Sequence, residues 1–276
     1  MVLAIPLSAF GKTIRDIEYA PGLHLDLHFK HSKKRLPVIL FIHGGGWMKG
    51  DYHRSIALAE VARGYAVASV QYRLSHQAKF PAQLIDCKAA VRWLRAHAQE
   101  HNLDPDQIGV WGVSAGGHLA ALMGVTGGVG EFDVGPNLSF SSRVKAVVDF
   151  YGPVDLLKES GQPRWQGCPA FCYDCADSPE SKLVGCALKS CPDTVARANP
   201  INYLTNDDPP FLIMHGDKDC RVPLGQSGML DVALDAKSLS SEFVVVKNAG
   251  HGRGFNSGKV WKQVNAFLDK HLKGQP

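Results

Sequence analysis

The thirteen residues from Val110 to Leu122, VWGVSAGGHLAAL, constrain this chain more than any other stretch. An apolar run ending at Val110-Trp111 meets Gly112-Val113-Ser114-Ala115-Gly116. The chain then continues through Ala, Leu and Met residues at helical density. A strand that passes directly into a helix through Gly-X-Ser-X-Gly forms a nucleophile elbow. The turn is so tight that the serine backbone is forced into an unfavourable conformation, and glycine is needed two residues to either side because a larger side chain would clash. Ser114 Oγ is expected to project above the sheet, near the positive end of the helix that follows. Alone, five residues of this pattern equally suit an ordinary Gly/Ser turn. The motif gains meaning only if the rest of the chain supplies a base, an acid to orient it, and backbone donors for an oxyanion.

The bulk properties narrow the field. A chain of 276 residues with 45% hydrophobic residues can bury a sizeable core in one large domain. Net charge is +4 and the basic residues are scattered; the one cluster, His31 to Arg35, adjoins a proline and reads as a solvated turn. No nucleic-acid footprint is expected. No apolar run approaches the roughly 18 residues of a membrane span. The first ten residues are apolar but hold Pro6 and lack a basic start, so they do not read as a signal peptide. Six of the seven cysteines follow residue 160. Cys87, alone in a helical pattern, reads as a buried thiol. The crowding of Cys168, Cys172, Cys175, Cys186 and Cys191, with Cys220 beyond, favours disulfides and an oxidising compartment. A zinc site is the rival, because Cys172 and Cys175 have C-x-x-C spacing; Cys186 to Cys191 lacks the second such pair. The pairing stays open.

Hydrophobic periodicity predicts the elements in turn. Strands are expected at Ile14 to Tyr19 and Leu23 to Phe29, an antiparallel pair at a sheet edge. In the second, Leu23, Leu25, Leu27 and Phe29 alternate with polar residues, so His24 and His28, with His31 beyond, are expected to face solvent rather than a metal. Leu36 to Ile42 and Tyr65 to Tyr72 read as strands buried on both faces, with helix-like residues at 56–63 between them. A long amphipathic helix is expected at Ala82 to His101, with Leu84, Cys87, Val91, Leu94 and Ala98 on its inner face, closed by a Pro-containing turn at 102–107. After the elbow come a Gly-rich loop (126–142) and strands at Val144 to Phe150, Pro210 to His215 and Glu242 to Lys247. Helices are expected near Leu224 to Lys237 and Gly258 to Leu272. Between them lies 151–202, too long for a plain loop in a compact domain, and read as an insertion over the site with short helices near 180–187 and 193–198. The fold class is therefore α/β: a single domain over 1–276, with a mostly parallel twisted sheet, helices on both faces, and an inserted lid region. In such sheets, sites form at the carboxyl ends of the strands.

The candidate chemistry falls at those ends. A base must take the Ser114 proton and return it to the leaving group. His251, in Asn248-Ala249-Gly250-His251-Gly252 after the last strand, is best placed of the twelve histidines. His118 is nearer in sequence, but on the elbow helix its side chain points away from the nucleophile, so it is assigned to packing or hydrogen bonding. The carboxylate should come from His215-Gly216-Asp217-Lys218-Asp219. Asp219 lies further out on the loop and is preferred; Asp217 reads as an Asx brace, and Asp155 is a more distant alternative. His43-Gly44-Gly45-Gly46-Trp47 after a strand can present backbone N–H groups at one point, with Ala115 as a further donor. The Lys and Ser/Thr of a phosphate-binding loop are missing there.

With these pieces assembled, the chain resembles serine esterases of the hormone-sensitive-lipase-like part of the α/β-hydrolase superfamily, in particular BD-FAE-type carboxylesterases and feruloyl esterases. The likeness runs over about residues 14 to 272. Its markers are HGGGW (43–47), YRLS (72–75), GVSAGG (112–117), SPESKLVG (178–185), ANPINYL (198–204), HGDKDCRVP (215–223) and NAGHG (248–252). The resemblance implies Ser114 as nucleophile, Asp219 as acid and His251 as base, with oxyanion donors from Gly45, Gly46 and Ala115. Two features depart from it: Cys220-Arg221 after the acid, where many relatives carry proline, and the cysteine richness of 165–191. Too little chain precedes the first strand for an N-terminal cap, so the lid is expected from 151–202.

The expected function is hydrolysis of carboxylic esters through an acyl-enzyme. The expected substrates are short acyl esters, or acetyl or feruloyl groups on a small molecule or plant polysaccharide. An arylformamidase or peptidase with the same triad, and a non-catalytic binding relative, are the alternatives; peptidases of this kind usually carry a propeller, and no triad member is lost here. No cofactor and no metal is required by this chemistry. The cysteines point to a secreted or periplasmic setting, with a cytoplasmic one as the alternative.

Overall fold

The computed structural model describes residues 11–274. The leading decapeptide, on which the signal-peptide reading rests, lies outside the described residues. Eight strands form one sheet: β1 (Lys12–Ala20), β2 (Leu23–Phe29), β3 (Leu36–Ile42), β4 (Ala66–Val70), β5 (Leu103–Val113), β6 (Val147–Phe150), β7 (Phe211–Gly216) and β8 (Ser241–Val246). Their order is β1-β2-β4-β3-β5-β6-β7-β8. The β1–β2 and β2–β4 pairs are antiparallel and the rest parallel, as expected for a hairpin appended to a parallel sheet. The inner strands β3, β4, β6 and β7 are almost wholly buried, because helices cover both faces.

One face carries α1 (Ala82–Ala96), α2 (Ala115–Val125) and α5 (Gly225–Ala236), joined in one core cluster with Leu25, Leu40, Val110 and Ile213. Leu84, Cys87, Val91 and Leu94 of α1 are fully buried, so the helical spacing read from the sequence is the packing stripe. The opposite face carries α6 (Gly258–Lys273) and a 3-10 segment, Ile56–Arg63, packed on Ile39, Trp111 and Met214. Ser257 caps α6 by accepting the Val260 N–H, and Gly274 ends it at φ 63°. Among the described residues no helix is long and apolar enough to cross a membrane.

Two expectations are corrected. His28 is buried, not solvent-facing, and Asp26 beside it is fully buried. The outer face of β2 is covered by the segment before Ile56: His53 Nδ1 bonds Asp26 Oδ2 at 2.8 Å, and the Asp16 N–H donates to Asp26 Oδ1 at 2.9 Å. Period-2 alternation here marks polar burial rather than exposure. Second, residues 103–107 are the start of β5 and not a turn. Leu103 pairs with Leu36, and the ladder is irregular between Leu36 and Val38, which is where Pro105, lacking an N–H, can be accommodated.

Residues 151–202 hold α3 (Pro179–Val184), α4 (Pro192–Arg197) and 3-10 turns. Ser178 caps α3 and Gly185 closes it at φ 90°. The six crowded cysteines form three disulfides, Cys168–Cys220, Cys172–Cys175 and Cys186–Cys191; Cys87 is a free, buried thiol. These bonds are consistent with an extracellular or periplasmic protein.

Candidate active site

Ser114 sits between β5 and α2 with φ 56° and ψ −122°, a conformation L-residues rarely adopt. The surroundings enforce it. A Cβ on Gly112 would lie 1.9 Å from the Gly116 carbonyl oxygen, and one on Gly116 would lie 2.1 Å from that of Ile42. The Ser114 N–H donates to Phe150 O at 2.8 Å, fixing the turn to the end of β6.

The structure brings Ser114, His251 and Asp219 together. The Ser114 hydroxyl lies 2.8 Å from His251 Nε2, and His251 Nδ1 lies 2.7 Å from Asp219 Oδ2. His251 follows β8 on a loop closed by a bridge between Gly250 and Arg253, and the Tyr151 ring packs edge-on against its imidazole at 4.8 Å. Asp219 is buried. Its Oδ1 accepts the N–H groups of Arg221 (2.7 Å) and Val222 (3.0 Å), while Oδ2 faces His251 and, at 3.3 Å, His215 Nε2. Burial works against ionisation of this carboxyl. The hydrogen bonds from His215 and His251, and their proximity, outweigh it and hold the group well below the usual carboxylate range. Asp217 is instead near Lys247 (3.8 Å), and Asp155 pairs with Lys158 (3.2 Å); neither contacts His251.

The glycine run after β3 lies alongside. A Cβ on Gly44 would meet Ser114 Cβ at 3.2 Å. Gly45 (φ 117°) and Gly46 (φ 62°) both occupy positive φ, and a Cβ on Gly45 would sit 1.9 Å from the Lys49 carbonyl. His43 Nδ1 donates to Gly44 O at 2.8 Å, and its ring stacks on Tyr72. The Trp47 carbonyl takes both the N–H (2.8 Å) and the hydroxyl (3.1 Å) of Ser75, so the YRLS segment pins the glycine run from below. Among the described residues, the N–H groups of Gly45, Gly46 and Ala115 donate to no protein acceptor. Pro179 of α3 closes over this side, 3.1 Å from a Cβ placed on Gly46.

His118 is fully buried, donates from Nε2 to Ala198 O at 2.6 Å, and meets Trp47 edge-on. Burial pushes its pKa down to about 4, against the opposing pull of that carbonyl. It is a packing residue that ties α2 to the insertion. Three neighbours of the site were not singled out from sequence. His215 lies beneath Asp219, held by Ser227 Oγ (2.7 Å) and Val222 O (3.0 Å). Tyr151 adopts φ 45° and packs between His251 and Phe255. Asp149, fully buried at the end of β6, accepts the Gly152 N–H at 2.9 Å; burial pushes its pKa up to about 6, against that hydrogen bond and His215. The available signal was a carboxylate at the end of an otherwise apolar strand, VVDFYG.

An eight-stranded, mostly parallel sheet with a strained serine at its centre and a histidine after the last strand defines an α/β-hydrolase fold. The BD-FAE family model matches residues 25–234, and this chain belongs to that family. Esterase LipC of Mycobacterium tuberculosis (strain ATCC 25618 / H37Rv) is 31% identical over 245 residues, covering 86% of this chain and 59% of LipC. The chain thus spans under two thirds of that relative. Among solved structures, a truncated form of a carbohydrate esterase from gut microbiota shares 34% identity at a TM-score of 0.87, covering 96% of this chain and 98% of that one. An acetyl ester-xyloside bifunctional hydrolase from Caldicellulosiruptor lactoaceticus shares 26% at 0.73, covering 96% and 95%.

Proposed function

We propose that this protein is a carboxylic ester hydrolase that works through an acyl-enzyme, with Ser114 as nucleophile, His251 as general base and acid, and Asp219 as the group that orients the imidazole. The single observation that carries the reading is the hydrogen-bonded chain from Ser114 Oγ through His251 to Asp219, at 2.8 and 2.7 Å.

In the proposed cycle, His251 Nε2 takes the hydroxyl proton as Oγ bonds to the ester carbonyl carbon. The imidazolium then presents its Nδ1–H to a carboxylate whose ionised form is favoured by its hydrogen bonds to the histidines. The negative charge that develops on the carbonyl oxygen is met by the N–H groups of Gly45, Gly46 and Ala115. Preorganised donors of this kind each contribute about 10²–10³ in rate. Collapse expels the alcohol with the Nε2 proton, and water repeats the sequence on the acyl-enzyme.

For substrate, the reading is a short-chain acyl, acetyl or feruloyl group esterified to a carbohydrate. Support comes from the carbohydrate esterase and acetyl ester-xyloside hydrolase among the similar structures. The three disulfides support a working site outside the reducing cytosol. The test is a p-nitrophenyl ester series together with acetylated xylan and methyl ferulate, using the parent and Ser114→Ala. The expected result is turnover that favours short acyl chains and collapses in the variant. Undiminished hydrolysis by Ser114→Ala would refute the assignment.

A further inference from the structure

The loop that carries Asp219 is gripped by one short piece of the insertion. The Trp165 ring lies under Lys218, with Nζ 5.6 Å from its centroid. Cys168 is bonded to Cys220. The Phe171 ring lies 5.5 Å from the Arg221 guanidinium carbon, and the Tyr173 hydroxyl donates to Arg221 O at 2.8 Å. Residues 165–173 therefore hold the loop before and after Asp219. The carboxylate takes its orientation from the N–H groups of Arg221 and Val222, and Arg221 is part of the backbone that the insertion holds. Residues 217–223 belong to no strand or helix; outside the insertion they are held by the Asp217 and Lys218 N–H groups, which donate to Val246 O and Ala249 O, and by His215 Nε2 on Val222 O. Of the contacts that hold the loop to the insertion, the cation–π pairs are individually weak at exposed sites, and only the cross-link cannot open thermally.

We propose that the Cys168–Cys220 cross-link is a positioning device for the reaction: it clasps residues 165–173 to the Asp219 loop and so keeps the carboxylate against His251 Nδ1. This rests on the esterase reading above. Losing the clasp lets the loop move relative to His251 while the sheet and elbow stay folded. Misplacement of a catalytic group by about 1 Å can cost on the order of 10²-fold in rate. Chemical severing is a two-electron exchange. A dithiol thiolate attacks one sulfur, its second thiol closes a cyclic disulfide, and the protein gains two thiols and two protons while the reagent is oxidised.

The experiment compares the parent, Cys168→Ser/Cys220→Ser and Cys186→Ser/Cys191→Ser, each folded under oxidising conditions. Expected for Cys168→Ser/Cys220→Ser are a fall in kcat of about 10–100-fold and an acid limb of kcat/KM displaced to lower pH, since the imidazolium loses its carboxylate. KM changes little. The Cys186→Ser/Cys191→Ser protein keeps the parent's kcat and profile. Dithiothreitol added to the folded parent reproduces the loss, which covers the case in which the double variant does not fold. Parent-like kcat and pH profile in Cys168→Ser/Cys220→Ser, or in reduced parent with Cys168 and Cys220 shown as free thiols, would overturn the proposal. A parent with no ester turnover and a Ser114 unreactive to a fluorophosphonate sinks the esterase reading instead, and the clasp with it.

Discussion

Replacing Asp219 by asparagine separates geometry from charge, because the new side chain has almost the same shape. Its amide can be placed two ways. If the NH₂ takes the Oδ1 position, it faces the N–H groups of Arg221 and Val222, which now stand 2.7 and 3.0 Å from the carboxylate. Two hydrogen bonds would be lost and donors set against donors, at about 1–3 kcal/mol for each group left unsatisfied. If it takes the Oδ2 position, the Oδ1 bonds survive and the NH₂ faces His251 Nδ1 and, at 3.3 Å, His215 Nε2, which turns to its other acceptor, Val222 O. His251 can answer by shifting its proton from Nδ1 to Nε2, so this second placement wins. His251 Nε2 then carries a proton toward Ser114 Oγ and can no longer accept one. A wrong tautomer in a serine–histidine pair typically lowers kcat about 10⁴-fold, or about 5 kcal/mol of transition-state stabilisation. Only a modest loss of folding stability is expected, since His215 keeps its bond to Val222 O at 3.0 Å. Saturating initial rates on p-nitrophenyl acetate give the kcat ratio, and ¹⁵N-histidine NMR reports the tautomer. A kcat within tenfold of the parent, or Nδ1 still protonated in the variant, would refute the reasoning.

Two buried groups should tune stability with opposite sign. The folded pKa of Asp149 is raised to about 6, so its contribution is present below the unfolded value near 4 and is lost as pH rises through 6. His118 is depressed to about 4; its contribution is present above the unfolded value near 6.5 and is lost as pH falls toward 4. Each amounts to roughly 3 kcal/mol. Relative to the parent, Asp149→Asn should therefore gain as pH rises from 4 to 7 and His118→Asn should gain as pH falls. Differences in chemical-denaturation midpoints cancel other groups, and equal slopes of one sign would contradict the assignment. At the elbow, Gly116→Ala puts a methyl 2.1 Å from a β3 carbonyl that cannot move alone; a loss of more than about 3 kcal/mol and of turnover is expected, checked by thermal melts and rates.

The sheet was largely legible because fully buried parallel strands are written as continuous apolar runs: Leu36 to Ile42 is read and found with the same ends. Reading failed where burial and polarity part company. The alternation in β2 looked like a wet face, yet a distant loop brings His53 to Asp26, and no local pattern announces such a cover. Pro105 suggested a turn, but an irregular ladder absorbs it. For the site, Ser114, Asp219 and His251 could be proposed because each follows a strand in a small-residue setting. His215 and Tyr151 could not, because they act on those residues only through the third dimension. The Cys168–Cys220 bond was equally hidden, since six nearby thiols leave fifteen possible pairings.

The backbone at Ser114 has a wider consequence. A residue held at φ 56° and ψ −122° costs the folded state of order 1–3 kcal/mol that glycine would not. On the proposed reading, the attacking oxygen therefore hangs from a strained joint. Selecting variants for heat tolerance alone would reward replacing that serine, so breeding a hardier catalyst from this scaffold requires screening for turnover in every round.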